Sequence, residues 1–391
     1  MLLFAGPDMF TETDRRQLQD TRGAITDTQR DRPVAASAEA EGISSAAFDG
    51  WAPLSAVVRP EFLAVTRPNR LKELVSGGPS PQVDTLTDIN LDDLFDAGGL
   101  SCLRHTPLQR LVRPSARRFA LAAREFDSRV GEQGLAQGSS WLLHRMTGGA
   151  QVAGIEHIPA TGPVVILANH PGMTDTVALL ACLGSRPDLL VIALDRPFLR
   201  ALPNVAKHLI FVADEDARRM SVVRAVAKHL KQGGALLTFP AGDIEPDPAT
   251  FGRRRAVELV ERWSDSFVLF ARLAPQTRFV PAIVSNVVSP EARRHGLTWL
   301  RRTAQNKERL AAALQVAMPR YQKLVARVAF GPSQQACASD PASLRSAIIA
   351  QVRHLIETLA SDGEANAAHE AASRSARQQH GECPVLPGPV I

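Results

Sequence analysis

The chain has 391 residues, 45% of them hydrophobic and 22% charged, with a formal net charge of +5. It is therefore an ordinary globular chain, large enough for one sizeable core plus appendages. No apolar run reaches the roughly 18 residues needed to cross a bilayer, and the opening Met1-Leu2-Leu3-Phe4-Ala5 lacks the basic flank of a secretory signal. A single Tyr and 5% aromatic residues, with no zinc or RNA-binding signature, argue against nucleic acid as a partner.

Residues 1–84 are acidic, polar and rich in Ala, Ser, Thr and Pro. They carry no sustained periodicity, so disorder is expected over most of them, with a short helix at Phe62 to Leu74. Residues 1–100 have a net charge of −7 and the remainder +12. A basic functional region suits an anionic partner: CoA phosphates, acyl carrier protein, a lipid headgroup or a membrane surface.

Residues 85–148 form a helical segment. Pro114 is expected to break or restart a helix there. Beyond it Phe119, Ala123, Phe126 and Val130 fall on one face. Arg110, Arg113, Arg117, Arg118 and Arg124 make the segment basic. Two readings stay open: a helix pair lying on an anionic membrane, or a helical layer packed on the main domain with solvated arginines. The second is favoured. A cytoplasmic location is expected, with peripheral attachment to the membrane's cytoplasmic face following from the first reading.

The main domain is expected over residues 149–361. Strands are predicted at Val152–Ile155, Val164–Leu167, Leu189–Leu194, Leu209–Ala213, Gly234–Phe239, Arg278–Val284 and Leu324–Phe330. Helices are predicted at Ala217–Lys231, with Val222, Val223, Val226 and Leu230 inward, at Lys307–Met318 and at Leu344–Leu359. Pro197–Lys207 is expected to be a short helical connection. Alternating strands and helices argue for an α/β fold, with a mixed, largely parallel central sheet and helices on both faces. Residues 362–391 are expected to be a disordered tail. Cys102, Cys182, Cys337 and Cys383 have no metal or redox spacing and read as free thiols in a reducing cytosol.

One stretch concentrates the chemistry. Val164-Val165-Ile166-Leu167 is a buried strand. Asn169 and His170 follow its carboxyl end, Pro171-Gly172 turn the chain, and a helix begins with Thr174 as its N-cap. An imidazole takes a proton from an alcohol only if its other nitrogen is held in the right tautomer. A carboxylate holds it and stabilises the imidazolium that forms. His170 thus fits a general base and Asp175 its orienter. A hydrogen-bonded structural histidine at a strand end is the alternative.

Downstream, Phe239-Pro240-Ala241-Gly242-Asp243 follows another buried strand, and Val280-Pro281-Ala282-Ile283 lies in a third. With N-H-P-G-M-T-D these resemble, in order and at similar distances, the blocks of the glycerolipid acyltransferase family, of the lysophosphatidate and glycerol-phosphate type. The resemblance covers residues 150 to 335. Blocks one (N-H-x-x-x-x-D) and four (V-P-x-x-I) match fully.

The resemblance implies transfer of a fatty acyl group from acyl-CoA or acyl carrier protein to a hydroxyl of a glycerolipid-type acceptor. The acceptor attacks directly, without a covalent enzyme intermediate. His170 and Asp175 would be catalytic. Asn169, Gly172, Phe239, Pro240, Gly242 and Pro281 would line the substrate site, with backbone donors around Gly172 facing the oxyanion. No metal and no cofactor beyond the acyl donor is expected.

The second and third blocks depart from the pattern. Asp214 stands near where the family places an Arg, and Ala241 and Ile244 replace the Glu and Arg of F-P-E-G-T-R-S. Asp243, Glu245 and Asp247 are gained. Arg218 and Arg219, with Arg253, Arg254 and Arg255, are candidate replacements for a phosphate clamp. Each is otherwise a solvated helix residue. The lost Glu leaves a second function open, a non-catalytic acyl- or lipid-binding protein on the same scaffold.

Overall fold

The computed structural model describes residues 51–57, 80–101, 104, 106–212, 216–335 and 343–359. The expected helix at Phe62 to Leu74, the residues Asp214 and Glu215, and the tail beyond 359 lie outside them.

Among the described residues, nine strands form one sheet: β1 (Ala52–Pro53), β2 (Ala150–Ala153), β3 (Val164–Ala168), β4 (Leu190–Leu194), β5 (Leu209–Val212), β6 (Ala235–Thr238), β7 (Arg278–Ser285), β8 (Ala326–Phe330) and β9 (Gln334–Gln335). Their order is β1-β2-β8-β7-β3-β6-β4-β5, with β9 beside β7. Pairing is parallel from β7 through β3, β6 and β4 to β5, and again between β2 and β8. It is antiparallel for β1–β2, β7–β8 and β7–β9. The sheet is thus mixed and mostly parallel. β1 is unexpected, because residues 51–57 fall in the stretch read as disordered. Two residues suffice to cap the sheet edge on β2.

β3 sits centrally and all five of its residues are fully buried. Strand alternation sends Val164, Ile166 and Ala168 to one face and Val165 and Leu167 to the other. The first face is covered by α1 (Pro81–Gly98), α2 (Leu108–Gln133), α3 (Leu135–Met146), α4 (Met173–Cys182) and α8 (Ala304–Ala317). The second is covered by α5 (Asp216–Lys231), α6 (Arg253–Val260), α7 (Ser266–Leu273) and α9 (343–359). On α5 the four expected apolar residues are indeed buried.

Pro114 does not break α2, which runs through it. Proline leaves one carbonyl a turn earlier without its partner. That site is near the helix start, and the packing of Val112 before it and of Ala116, Ala120, Ala123, Phe126 and Val130 after it holds the helix on both sides of the gap. Phe119 stacks on Phe198, with centroids 5.6 Å apart. Two of the arginines on α2 face α1: Arg117 donates to Asp84 at 2.8 Å and Arg113 to Asp88 at 2.7 Å. The acidic first hundred residues therefore fold partly against the basic helix that follows them.

The connection after β4 is two single turns, Pro197–Arg200 and Pro203–Ala206, rather than one helix. Asp127 of α2 fixes the second by accepting the amide N–H groups of Asn204 and Val205, each at 2.9 Å. Cys182 is buried and free, and burial pushes its thiol up to about 12.

Candidate active site

β3 delivers His170 to the carboxyl edge of the sheet, and α4 begins three residues later. The helix starts at Met173, with Gly172 at the cap position, so Thr174 is inside the helix and not its N-cap. That one-turn return brings Asp175 back onto the ring. His170 Nδ1 lies 2.8 Å from Asp175 Oδ2, and both side chains are buried. Beside a carboxylate that can only accept, Nδ1 carries the proton. The lone pair therefore sits on Nε2, which is buried and has no hydrogen-bond partner among the described residues. Asp175 is itself fixed: Oδ1 accepts the Thr176 N–H at 2.5 Å, and Oδ2 accepts the Gly172 N–H at 3.2 Å. The Gly172 N–H, expected to face an oxyanion, is already directed at Asp175.

The other expected residues surround this pair unequally. The Phe239 ring lies tilted on the His170 ring, with centroids 4.6 Å apart. Gly242 closes a turn on Phe239 at φ +68°, a conformation that favours glycine. Pro240 accepts the Ser264 N–H at 3.0 Å. Asn169 points to the sheet: its Nδ2 donates to Val284 O at 2.9 Å and its Oδ1 accepts Val284 N–H at 2.7 Å. Pro281 is a buried strand residue paired with Leu167, placed where β7 exchanges β9 for β8 as its antiparallel neighbour. A residue without an N–H fits that break in the ladder.

Of the three acids gained in the third block, two are buried. Glu245 is 4% exposed and clamps the histidine. Its Oε2 accepts the His170 N–H at 2.9 Å, its own N–H donates to the His170 carbonyl at 2.8 Å, and Oε1 accepts the Trp263 indole N–H at 2.9 Å. Burial pushes its carboxyl up to about 7, although both N–H donors oppose the shift. Asp247 is also buried and accepts four backbone N–H groups, from Ala249, Asn286, Val287 and Val288, at 2.7 to 3.0 Å. Only Asp243 faces outward, where it pairs with Arg309 of α8 and accepts from Gln305 at 2.7 Å.

Of the candidate cations, Arg255 lies 3.3 Å from the buried Glu308 of α8, and Arg254 lies 3.2 Å from Glu258. Arg218 and Arg219 belong to the first turn of α5, next to β5, with β4 and β6 between that strand and β3. A small apolar crevice lies beside the turn that carries His170. Met173, Val177 and Leu180 of α4 form one wall, Phe119, Ala123 and Phe126 of α2 another, and Phe198 with Leu202 a third. Among the described residues, no group of three or more His, Cys, Asp or Glu could hold a metal ion, and no helix is long and apolar enough to cross a membrane.

Residues 149–285 match the family model described as Acyltransferase. The N-H-x-x-x-x-D block within this segment falls on the buried His170–Asp175 pair. Among solved structures, the chain is similar to the crystal structure of the 1-acyl-sn-glycerophosphate (LPA) acyltransferase, PlsC, from Thermotoga maritima. The identity is 16%, over 69% of this chain and 97% of that one, with a TM-score of 0.34. No curated protein matches the chain.

Proposed function

We propose that the protein is an O-acyltransferase that moves a fatty acyl group from acyl-CoA or acyl carrier protein to a hydroxyl of a lysophosphatidate-like glycerolipid. The observation that carries this reading is the Asp175–His170 pair with Nε2 left for an acceptor, beside a crevice lined by apolar side chains.

The acceptor hydroxyl gives its proton to Nε2 as its oxygen attacks the thioester carbonyl carbon. Asp175 holds the ring tautomer and balances the imidazolium charge. Collapse of the tetrahedral intermediate breaks the C–S bond, and the imidazolium returns the proton to the departing thiolate. The crevice along α4 and α2 takes the acyl chain, whose burial contributes about 0.8 kcal/mol per methylene. Arginines from the turns near the site, those of α6 foremost, hold the acceptor phosphate in place of the cations missing from blocks two and three. The protein works at the surface of an anionic membrane as a peripheral protein of the cytoplasm.

The enclosure of Nε2 and the replacement of the block-three Glu by Ala241 favour a second reading, a non-catalytic acyl- or lipid-binding protein. Mass spectrometry of lipids, after the protein is incubated with acyl-CoA and a panel of acceptors, separates the two. New ester that disappears in His170→Ala supports the enzyme. Bound lipid without turnover across the panel supports the second reading.

A further inference from the structure

We propose that the 3-10 turn Gly296–Leu300 is a membrane-inserting element, with Trp299 and Leu300 entering the headgroup–acyl boundary of an anionic bilayer. This names the contact for the peripheral attachment proposed above and rests on that reading. Trp299 is 82% exposed and Leu300 63%. The turn that presents them is held firmly. Thr298 is buried beneath it, and its hydroxyl hydrogen-bonds to the carbonyls of Arg293 at 2.9 Å and His295 at 2.7 Å. His295 Nδ1 accepts the Leu297 N–H at 3.2 Å. A rigid, convex tip bearing an aromatic and an aliphatic side chain suits a fluid apolar boundary.

The charge around the tip complements anionic headgroups. Residues 292–303 contain Arg293, Arg294, Arg301 and Arg302 and no acid. Arg293 turns inward to the Thr250 carbonyl and the Phe251 ring, while Arg294 and Arg302 are exposed beside the tip. The Arg301 guanidinium lies against Gly99. The next residue, Leu100, packs on the same small cluster as Val112, neighbour of Leu111, itself 78% exposed. The turn and the start of α2 thus share one neighbourhood. Two of the arginines of α2, Arg113 and Arg117, are poorer candidates, since they are paired with α1.

The placement also serves the site. α8 begins four residues after Leu300. Its Ala312 Cβ lies 3.4 Å from where a Cβ on Gly172 would sit, and its Arg309 pairs with Asp243. A bilayer holding the turn therefore meets the helix that packs at Gly172, two residues after His170.

The test uses the full chain and vesicles of phosphatidylglycerol and phosphatidylcholine with brominated acyl chains, and reads tryptophan fluorescence. Wild type should be quenched and Trp299→Phe much less so. Trp299→Ala should partition about ten- to a hundred-fold more weakly, with unchanged melting temperature and unchanged activity on a short-chain soluble acceptor. Vesicle binding with Trp299 unquenched overturns the inference and leaves peripheral attachment standing. No vesicle binding overturns both. Loss of soluble-acceptor activity in Trp299→Ala, or retention by an acidic protein such as acyl carrier protein in place of vesicles, also overturns it.

Discussion

Glu245 grips His170 by the backbone on both sides, accepting its N–H at 2.9 Å and donating to its carbonyl at 2.8 Å. The carboxylate is thus a positioning group for the ring, not a solvated loop charge. In Glu245→Ala the His170 N–H and the Trp263 indole lose their acceptor, at a cost of about 1–3 kcal/mol for each buried donor left unmade. Glu245→Gln keeps one acceptor oxygen. Activity should fall in the order wild type, Gln, Ala, with kcat affected more than KM. Equal activity in all three would remove the positioning role.

The same residue makes stability depend on pH. Its carboxyl is raised from an ordinary 4.5 to about 7 by burial, so the folded protein binds its proton more tightly than the unfolded chain. That contribution is fully present below pH 4.5 and is lost as pH rises through about 7, worth up to about 3 kcal/mol across the window. Between about pH 8 and about pH 5 the wild type should gain melting temperature relative to Glu245→Gln. A constant difference would show that Glu245 stays ionised throughout.

His170→Ala should lower acyl transfer by about 10²–10⁴-fold with the fold intact. Asp175→Asn should be comparably severe, because it removes the imidazolium's counter-charge and can reverse the tautomer. Steady-state rates with circular dichroism of each variant check this. Wild-type rates in a folded His170→Ala would end the assignment.

Val177→Phe should fill the crevice between α4 and α2 and shift the product spectrum to shorter acyl chains. Each excluded methylene forfeits about 0.8 kcal/mol of binding. Competition between acyl donors of different length, read by mass spectrometry, measures the shift. An unchanged chain profile would place the acyl chain elsewhere.

For the acceptor, Arg253→Ala with Arg254→Ala should raise the KM for lysophosphatidate about tenfold or more. Arg218→Ala with Arg219→Ala should do less. The first turn of α6 adjoins Glu308 through Arg255, whereas α5 starts beside β5, the sheet's outermost strand on that side. Should only a neutral or zwitterionic lipid alcohol be used, the clamp fails. Asp243 then becomes the specificity element, since Glu245 and Asp247 are turned inward.

The pairing of His170 with Asp175 was legible because everything it needs is local: a buried strand, a turn and a helix start within a dozen residues. The inward face of α2 was legible too, from its spacing. Glu245 was not. Its partners lie 75 residues before it and 18 after, and D-I-E-P-D reads as a solvated acidic run. Pro114 misled for a similar reason: local chemistry argues for a break, and tertiary packing on α1 and the sheet overrides it. β1 is only two residues long and depends wholly on its partner β2.

Asn169 extends the hydrogen-bonding of β3 with its side chain instead of its backbone, meeting Val284 as donor and acceptor at once. Aspartate is the same size but offers only acceptors, and would set one of them against the Val284 carbonyl. Leucine offers neither, and glutamine is one methylene too long for the gap. The asparagine is therefore a joinery requirement: it pins the strand end that carries the ring to the neighbouring strand, so that the position of the imidazole is set by the lattice of the sheet and not by the turn that follows it.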